Sequence, residues 1–409
     1  MPKKTHLRVA DVHGLTSLAV DGTLAVTDQV EALHQAILTS PNYFCPPLTV
    51  TPPYILTQGI TKLIYQTIRR ITRLVRLSND RLFAPLVPLF KTEHSSFERE
   101  TVLGALNGVL GDHLVNTGNP LAIPLQLRRD GQALDLTKAG LAAALPQASG
   151  KILLLVHGLC MNDLLWHWQG HNHGVALDME LGYTPVYLHY NSGLHISTNG
   201  QAFAALLEQL VNLWPTPVEE LVIIGHSMGG LVTRSACHYG AQAGHAWLRP
   251  LRKIIFLGTP HQGAPLEQIG HWVSLLLSRS SYTAILAQLG KLRSAGITDL
   301  RYGFLHDEDW HGQDRFAHAP DLRQPPAFLD GVQYYTIAAT TGQTSGDLKD
   351  ELFGDGLVPL HSALGDHVYQ HKALPFSPDH QWVGYGMNHL DLLHRPDVYA
   401  QMRTWLLEN

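Results

Sequence analysis

Three polar residues near glycines, each downstream of an apolar or strand-like run, carry the chemistry open to this chain. Ser227 stands in Gly225-His226-Ser227-Met228-Gly229-Gly230, after the run Leu221 to Ile224 and before Leu231-Val232-Thr233-Arg234. Strand, sharp turn and helix in that order make a nucleophile elbow. Its serine backbone is strained, and bulky neighbours would collide with the adjacent strand and helix. A lone G-x-S-x-G is a weak signal in a chain with 36 glycines, so its weight comes from what accompanies it in chain order.

Upstream, Lys151 to Val156 reads as a buried parallel strand entering the turn His157-Gly158-Leu159. The main-chain N–H of Leu159 is one expected donor to an oxyanion. The N–H of Met228 is the other, because the first amides of a helix have no intrahelical partner. Downstream, the strand-like run Tyr334 to Ala339 precedes Gly354-Asp355-Gly356-Leu357-Val358-Pro359, and Asp355 is the expected acid. Asp347, Asp350 and Asp366 are its rivals, the first two in a polar stretch that reads as a solvated loop; an Asp-Gly pair is also a common turn.

Six histidines compete for the base: His361, His367, His371, His380, His389 and His394. His389 lies in a loop between the strand-like Gln381 to Val383 and a last helix beginning near Pro396, where a ring can reach both a serine and an acid. His361 comes second, being near Asp355 in sequence. Such a serine, base and acid perform two-step acyl transfer, and that chemistry calls for no metal and no cofactor.

Five segments together resemble the lipase and esterase branch of the α/β-hydrolase superfamily: L-L-V-H-G-L, G-H-S-M-G-G-L-V, L-G-T-P-H-Q-G-A-P (Leu257 to Pro265), D-G-L-V-P and N-H-L-D. The L-G-T-P-H-Q-G stretch is similar to bacterial triacylglycerol lipases and to GPI inositol-deacylase-like serine esterases. The resemblance spans residues 150 to 409 and implies an α/β-hydrolase fold, a triad of Ser227, Asp355 and His389, and cleavage of carboxylic esters, as a carboxylesterase or a lipase. Two other readings stay open: an acyltransferase on the same fold, and a non-catalytic lipid-binding or scaffold protein. Polyester synthases carry cysteine at the nucleophile position, and epoxide hydrolases and dehalogenases need aspartate there.

The elements that must hold these residues alternate from Lys151 onward. Strands are expected at 152–156, 185–190, 221–224, 253–258 and 334–339, with helices at 200–213 and 229–241, a pattern that predicts a mostly parallel sheet with helices on both faces. Residues 1–148, with proline-rich joints at Pro46, Pro47, Pro52 and Pro53, read mainly as helices, a cap or packing domain before a catalytic domain at 149–409. An insertion at about 261–330 is longer than ordinary connections. Its apolar stretch, including Trp272 and Leu276, reads either as a cover lining an acyl pocket or as a plain outer helix.

Ile60, Leu63, Ile64, Ile68, Ile71, Leu74 and Val75 share one helical face, with Lys62, Arg69, Arg73 and Arg76 on the other. Such a basic amphipathic helix either lies on anionic lipid or packs on the catalytic domain with its arginines in water.

Of 409 residues 45% are hydrophobic and 15% charged, ample for a large core, and the net charge of −5 argues against a nucleic-acid binder. Three cysteines, Cys45, Cys160 and Cys237, imply no disulfide framework. Asp11, His13 and Asp21 interrupt any signal-peptide core, and no run of about 18 apolar residues occurs, so a cytoplasmic protein acting on a small-molecule or lipid ester is the expectation.

Overall fold

The computed structural model describes residues 8–39, 53–83, 85, 95–265, 293–312, 325–344 and 354–408. Its centre is one eight-stranded sheet. The strands in chain order are β1 (Gln126–Arg129), β2 (Gln132–Ala133), β3 (Lys151–Val156), β4 (Thr184–His189), β5 (Glu220–His226), β6 (Leu251–Leu257), β7 (Gln333–Thr340) and β8 (Gln381–Tyr385). In space they run β2-β1-β4-β3-β5-β6-β7-β8. From β4 to β8 every neighbour is parallel, and only β1, against β2 and β4, is antiparallel.

A parallel sheet covered on both faces needs strands that are apolar on both sides. Ile152 to Val156, Val222 to Ile224 and Ile254 to Leu257 meet that need, and all are fully buried. At about 2 kcal/mol per aliphatic side chain, these three runs are the main anchor of the fold. The register aligns the carboxyl ends: Val156 pairs with Gly225, His226 with Leu257, and Leu257 with Ile337. Loops leaving β3, β5, β6, β7 and β8 therefore emerge along one edge.

Two long helices, α1 (Val9–Thr39) and α2 (Pro53–Phe83), precede α3 (Phe97–Asn116) and α4 (Lys138–Ala144). Then come α5 (His173–Leu181), α6 (Ile196–Leu213), α7 (Met228–Ala243), α8 (Ala295–Asp299), α9 (Leu360–Leu364) and α10 (Pro396–Leu407). Helix α6 buries Ile196, Phe203, Leu207 and Leu210 along one stripe. It approaches α7 closely because Gly200 faces Ser235, where a Cβ would collide.

The chain forms two units, one holding α1, α2 and residues 118–121, the other Ser95–Thr117 and everything from Ala122 on. Residues 95–148, part of the stretch expected to be mainly helical, carry the short β1–β2 hairpin between α3 and α4. Asp130 and Gly131, at φ 52° and 74°, make the tight reversal between β1 and β2 that an Asp-Gly pair favours. A buried ion cluster holds α3 to the sheet: Arg128 of β1 donates to Glu100 of α3 (2.9 Å) and to Asp163 (3.1 Å), and His189 of β4 lies 3.0 Å from Asp163. Burial pushes both carboxyls up, but Arg128 and His189 more than offset it and leave them below their ordinary range. Glu100, Asp163 and His189 are spaced to hold a metal ion, yet the Arg128 guanidinium already supplies the positive charge there. Among the described residues no helix is long and apolar enough to cross a membrane.

Candidate active site

Ser227 sits between the last residue of β5 and the first of α7, with φ 55° and ψ −128°. A non-glycine residue rarely takes positive φ, and the strain is tolerated only where the surroundings over-determine it. Here they do. The Ser227 N–H donates to Leu257 O of β6 (2.8 Å), and the Gly230 N–H donates to Ser227 O (3.0 Å). A side chain at Gly229 would drive into the carbonyls of Val156 and His157, so only glycine lets α7 start hard against the end of β3.

The turn after β3 touches the serine directly. A Cβ on Gly158 would come within 2.9 Å of Ser227 Cβ and 3.2 Å of Met161 Sδ. The next amide in the chain is that of Leu159, and the helix start after Ser227 presents that of Met228. Among the described residues neither N–H is taken by another backbone or side-chain group. His157 fixes the turn: its Nδ1 donates to Gly158 O (2.9 Å), its carbonyl accepts from Tyr190 Oη (2.7 Å), and its ring stacks on Tyr190 at 4.4 Å. Burial lowers its pKa to about 3, so it is a neutral strut.

Helix α3 floors this turn. Gly104, Gly108 and Gly111 lie along one side of it, and side chains there would strike Met161 O, Cys160 and the Asn191 amide respectively. Cys160, beside Leu159, has φ 60° and donates its N–H to Ser192 Oγ (3.0 Å). Burial pushes its thiol up to about 12, which leaves it a packing residue and no nucleophile.

His389 and Asp355 meet as a buried pair. His389 Nδ1 donates to Asp355 Oδ2 at 2.6 Å, and each side chain is about 1% exposed. The other carboxylate oxygen, Oδ1, accepts from the N–H groups of Leu357 (3.0 Å) and Val358 (2.8 Å), and Asp355 O accepts from the His389 N–H (3.1 Å). The aspartate is thus held through both oxygens and its carbonyl. His361 and Asp366, the runners-up, are exposed, whereas Asp347 and Asp350 lie outside the described residues, as do Cys45, Trp272 and Leu276.

The chain has the α/β-hydrolase fold. The strand order, the elbow after β5 and the acid and histidine after β7 and β8, all on one sheet edge, decide it. A family model described as a domain of unknown function (DUF7379) matches residues 129–301, which includes the Leu159 turn and Ser227 and ends before Asp355 and His389. No curated protein matches the chain. Among solved structures it is similar to the mature lipase BlEst2 of Bacillus licheniformis, at 19% identity over 63% of this chain and 92% of that one, with a TM-score of 0.41. It is also similar to a lipase-esterase related protein of Clostridium acetobutylicum (15%, 63% and 95%, 0.35). A thermophilic esterase of Thermogutta terrifontis is a third (14%, 69% and 93%, 0.36).

Two residues join the site that sequence reasoning had not singled out. His226, the x before the serine, is fully buried, and its Nε2 donates to His389 O at 3.1 Å with the two rings 4.7 Å apart. Burial holds it well below its ordinary pKa, hence neutral. Gly258, φ 56°, leaves the room His389 occupies: a Cβ there would lie 3.1 Å from His389 Nδ1 and 2.7 Å from Leu392 Cδ1. The rest of L-G-T-P-H-Q-G ties β6 to α9. The Gln262 N–H donates to Ser362 Oγ (3.1 Å), which donates to Gly263 O (2.7 Å), and Gln262 Nε2 donates to Lys372 O (2.9 Å). That segment thereby steadies the helix that follows the Asp355 loop.

Proposed function

We propose that this chain is a serine hydrolase of carboxylic esters, with Ser227 as nucleophile, His389 as general base and Asp355 as its orienting carboxylate. The observation that carries the reading is the strained, glycine-flanked Ser227 on the same sheet edge as the buried His389–Asp355 hydrogen bond. With the Nδ1 proton committed to Asp355, the lone pair of His389 is on Nε2. That nitrogen takes the Ser227 hydroxyl proton as Oγ bonds to the ester carbon. The carbonyl oxygen, now an anion, is met by the N–H groups of Leu159 and Met228, donors each worth about 3 kcal/mol in comparable sites.

The imidazolium, stabilised by Asp355, returns its proton to the leaving alcohol oxygen as the C–O bond breaks, giving an acyl-enzyme. Water repeats the cycle, losing its proton to Nε2 and releasing the acid and free serine. Fixed donors in a site this buried, with Ser227 only 3% exposed, act with little competition from water. The substrate is a small-molecule or lipid ester.

Hydrolysis of a p-nitrophenyl ester series from acetate to palmitate tests the reading. Ser227→Ala should lower turnover to background, a loss on the order of 10⁴-fold or more, and the chain-length optimum separates a carboxylesterase from a lipase. Turnover that survives the substitution would overturn the assignment.

A further inference from the structure

Helices α1 and α2 pair largely through polar residues, with Val20 buried among them, and leave most of the apolar residues of α2 outward. His13 faces Asp80 at 2.8 Å, Arg76 pairs with Asp21, and Arg69 pairs with Asp28 (2.7 Å) and Glu31. Asn79 donates to Thr16. These pairings descend along one helix as they climb the other, so the helices are antiparallel. In α2 the residues turned to this seam recur at helical spacing: Tyr65, Arg69, Thr72, Arg76, Asn79, Asp80 and Phe83 are those partly or wholly covered. Leu63, Ile64, Ile71, Leu74 and Val75 are each more than half exposed, and on α1 so is Val26, with Val30 at 47%. The alternative in which α2 turns its arginines to water does not describe Arg69 and Arg76. The side chain of Ile60 lies outside the described residues.

At about 100° per residue, the apolar stripe of α2 lies about 130° around its axis from the seam, and that of α1 about 120°, in the same rotational sense. For two antiparallel right-handed helices that sense brings both stripes to one side of the pair. The result is a continuous apolar face roughly 30 Å long, from the rise per residue. Polar seams with apolar exteriors are the reverse of what water selects.

We infer that this face lies on an anionic lipid surface. The charge around it points there: α2 carries Lys62, Arg70, Arg73 and Arg81 exposed, and its single carboxylate, Asp80, is turned to His13. Arg70 and Arg81 fall at the border of the stripe, where long cationic side chains reach lipid headgroups while the apolar residues enter the acyl boundary. A second copy laid on this face about a two-fold axis would bring two sets of exposed cations together with no exposed carboxylate on α2 to meet them.

The full chain, sedimented with vesicles of phosphatidylcholine alone or mixed with phosphatidylglycerol, provides the test, and it is read without turnover, so it stands or falls apart from the ester-hydrolase reading. The protein should pellet with the anionic vesicles and far less with neutral ones. Arg70→Gln/Arg81→Gln or high salt should weaken binding about tenfold. Leu74→Gln/Val75→Gln should abolish it with an unchanged thermal midpoint, since both side chains are exposed. Failure to pellet with anionic vesicles overturns the inference. So does a dimer in sedimentation velocity that Leu74→Gln/Val75→Gln dissolves while vesicle binding persists.

Discussion

His226 Nε2 donates to the main-chain carbonyl of His389 across 3.1 Å, so the residue before the serine holds the loop that carries the histidine. The elbow and the His389 loop are separated by 163 positions in sequence and joined by one buried hydrogen bond.

His226→Phe removes that donor and leaves a buried carbonyl without it, a loss of about 1–3 kcal/mol in stability. Because small misplacements of a catalytic group are costly, kcat should fall by about 10²-fold with KM little changed. His226→Gln, whose amide nitrogen reaches where Nε2 does, should recover part of kcat. Steady-state kinetics on a soluble ester alongside thermal denaturation measures both. Equal kcat in wild type and His226→Phe would remove His226 from the positioning of His389.

Gly258→Ala places a methyl group against His389 Nδ1 and Leu392 Cδ1 at a residue with φ 56°. Positive φ and overpacking both oppose it, for about 2 kcal/mol or more of destabilisation. Turnover should fall more than the stability loss explains, because the displaced ring is the proposed base. Urea denaturation and kcat at a temperature where the variant remains folded decide this.

Acid should unfold this protein readily. His157 and His173 are buried and neutral, each with its pKa lowered to about 3 by burial, and burial acts the same way on His226 and His261. The unfolded chain takes up these protons near pH 6.5, whereas in the native protein His157 and His173 do so only near pH 3, and His226 and His261 well below their ordinary range. Protons therefore favour the unfolded state throughout that window, and stability that is complete above it drains as the pH falls through it. For His157 and His173 the loss between pH 7 and pH 5 is about 2 kcal/mol each. Thermal midpoints across that range should drop steeply, and a flat profile would contradict the neutral burial of these rings.

Arg128→Met strands two buried carboxylates, Glu100 and Asp163, beside His189. Removing one partner from a buried ion cluster costs about 3–5 kcal/mol, and here it loosens α3 from the sheet. Because α3 floors the Leu159 turn, activity should fall with stability. Chemical denaturation of the variant, with kcat measured in parallel, checks the coupling.

The sheet was legible because its strands are buried on both faces and therefore read as unbroken apolar runs: 152–156, 221–224 and 253–258 fall on β3, β5 and β6 within two residues at either end. The tight turn at Ser227 was legible because it needs glycine at positions 225 and 229, and Asp355 and His389 stood out as polar residues in loops that follow strands. Other features left weaker traces. The β1–β2 hairpin is short, and its Asp130-Gly131 signal is two residues long. The seat of α3 depends on Gly104 and Gly108 meeting a loop some fifty positions away and Gly111 meeting Asn191, some eighty away, which no local pattern reveals. The pairing of α1 with α2 inverts the usual rule, since the arginines of a basic amphipathic helix are ordinarily given to water, and only the acids at Asp21, Asp28 and Glu31 on the partner helix explain why two of them are not.

In the proposed mechanism Ser227 is the activated nucleophile and His389 activates it. Treating the protein with a fluorophosphonate and mapping the modified peptide by mass spectrometry tests both parts at once. One adduct on Ser227, absent from Ser227→Ala and formed far more slowly in His389→Ala, is the expected result. An adduct elsewhere in the chain, or a labelling rate that His389→Ala leaves unchanged, would contradict the account.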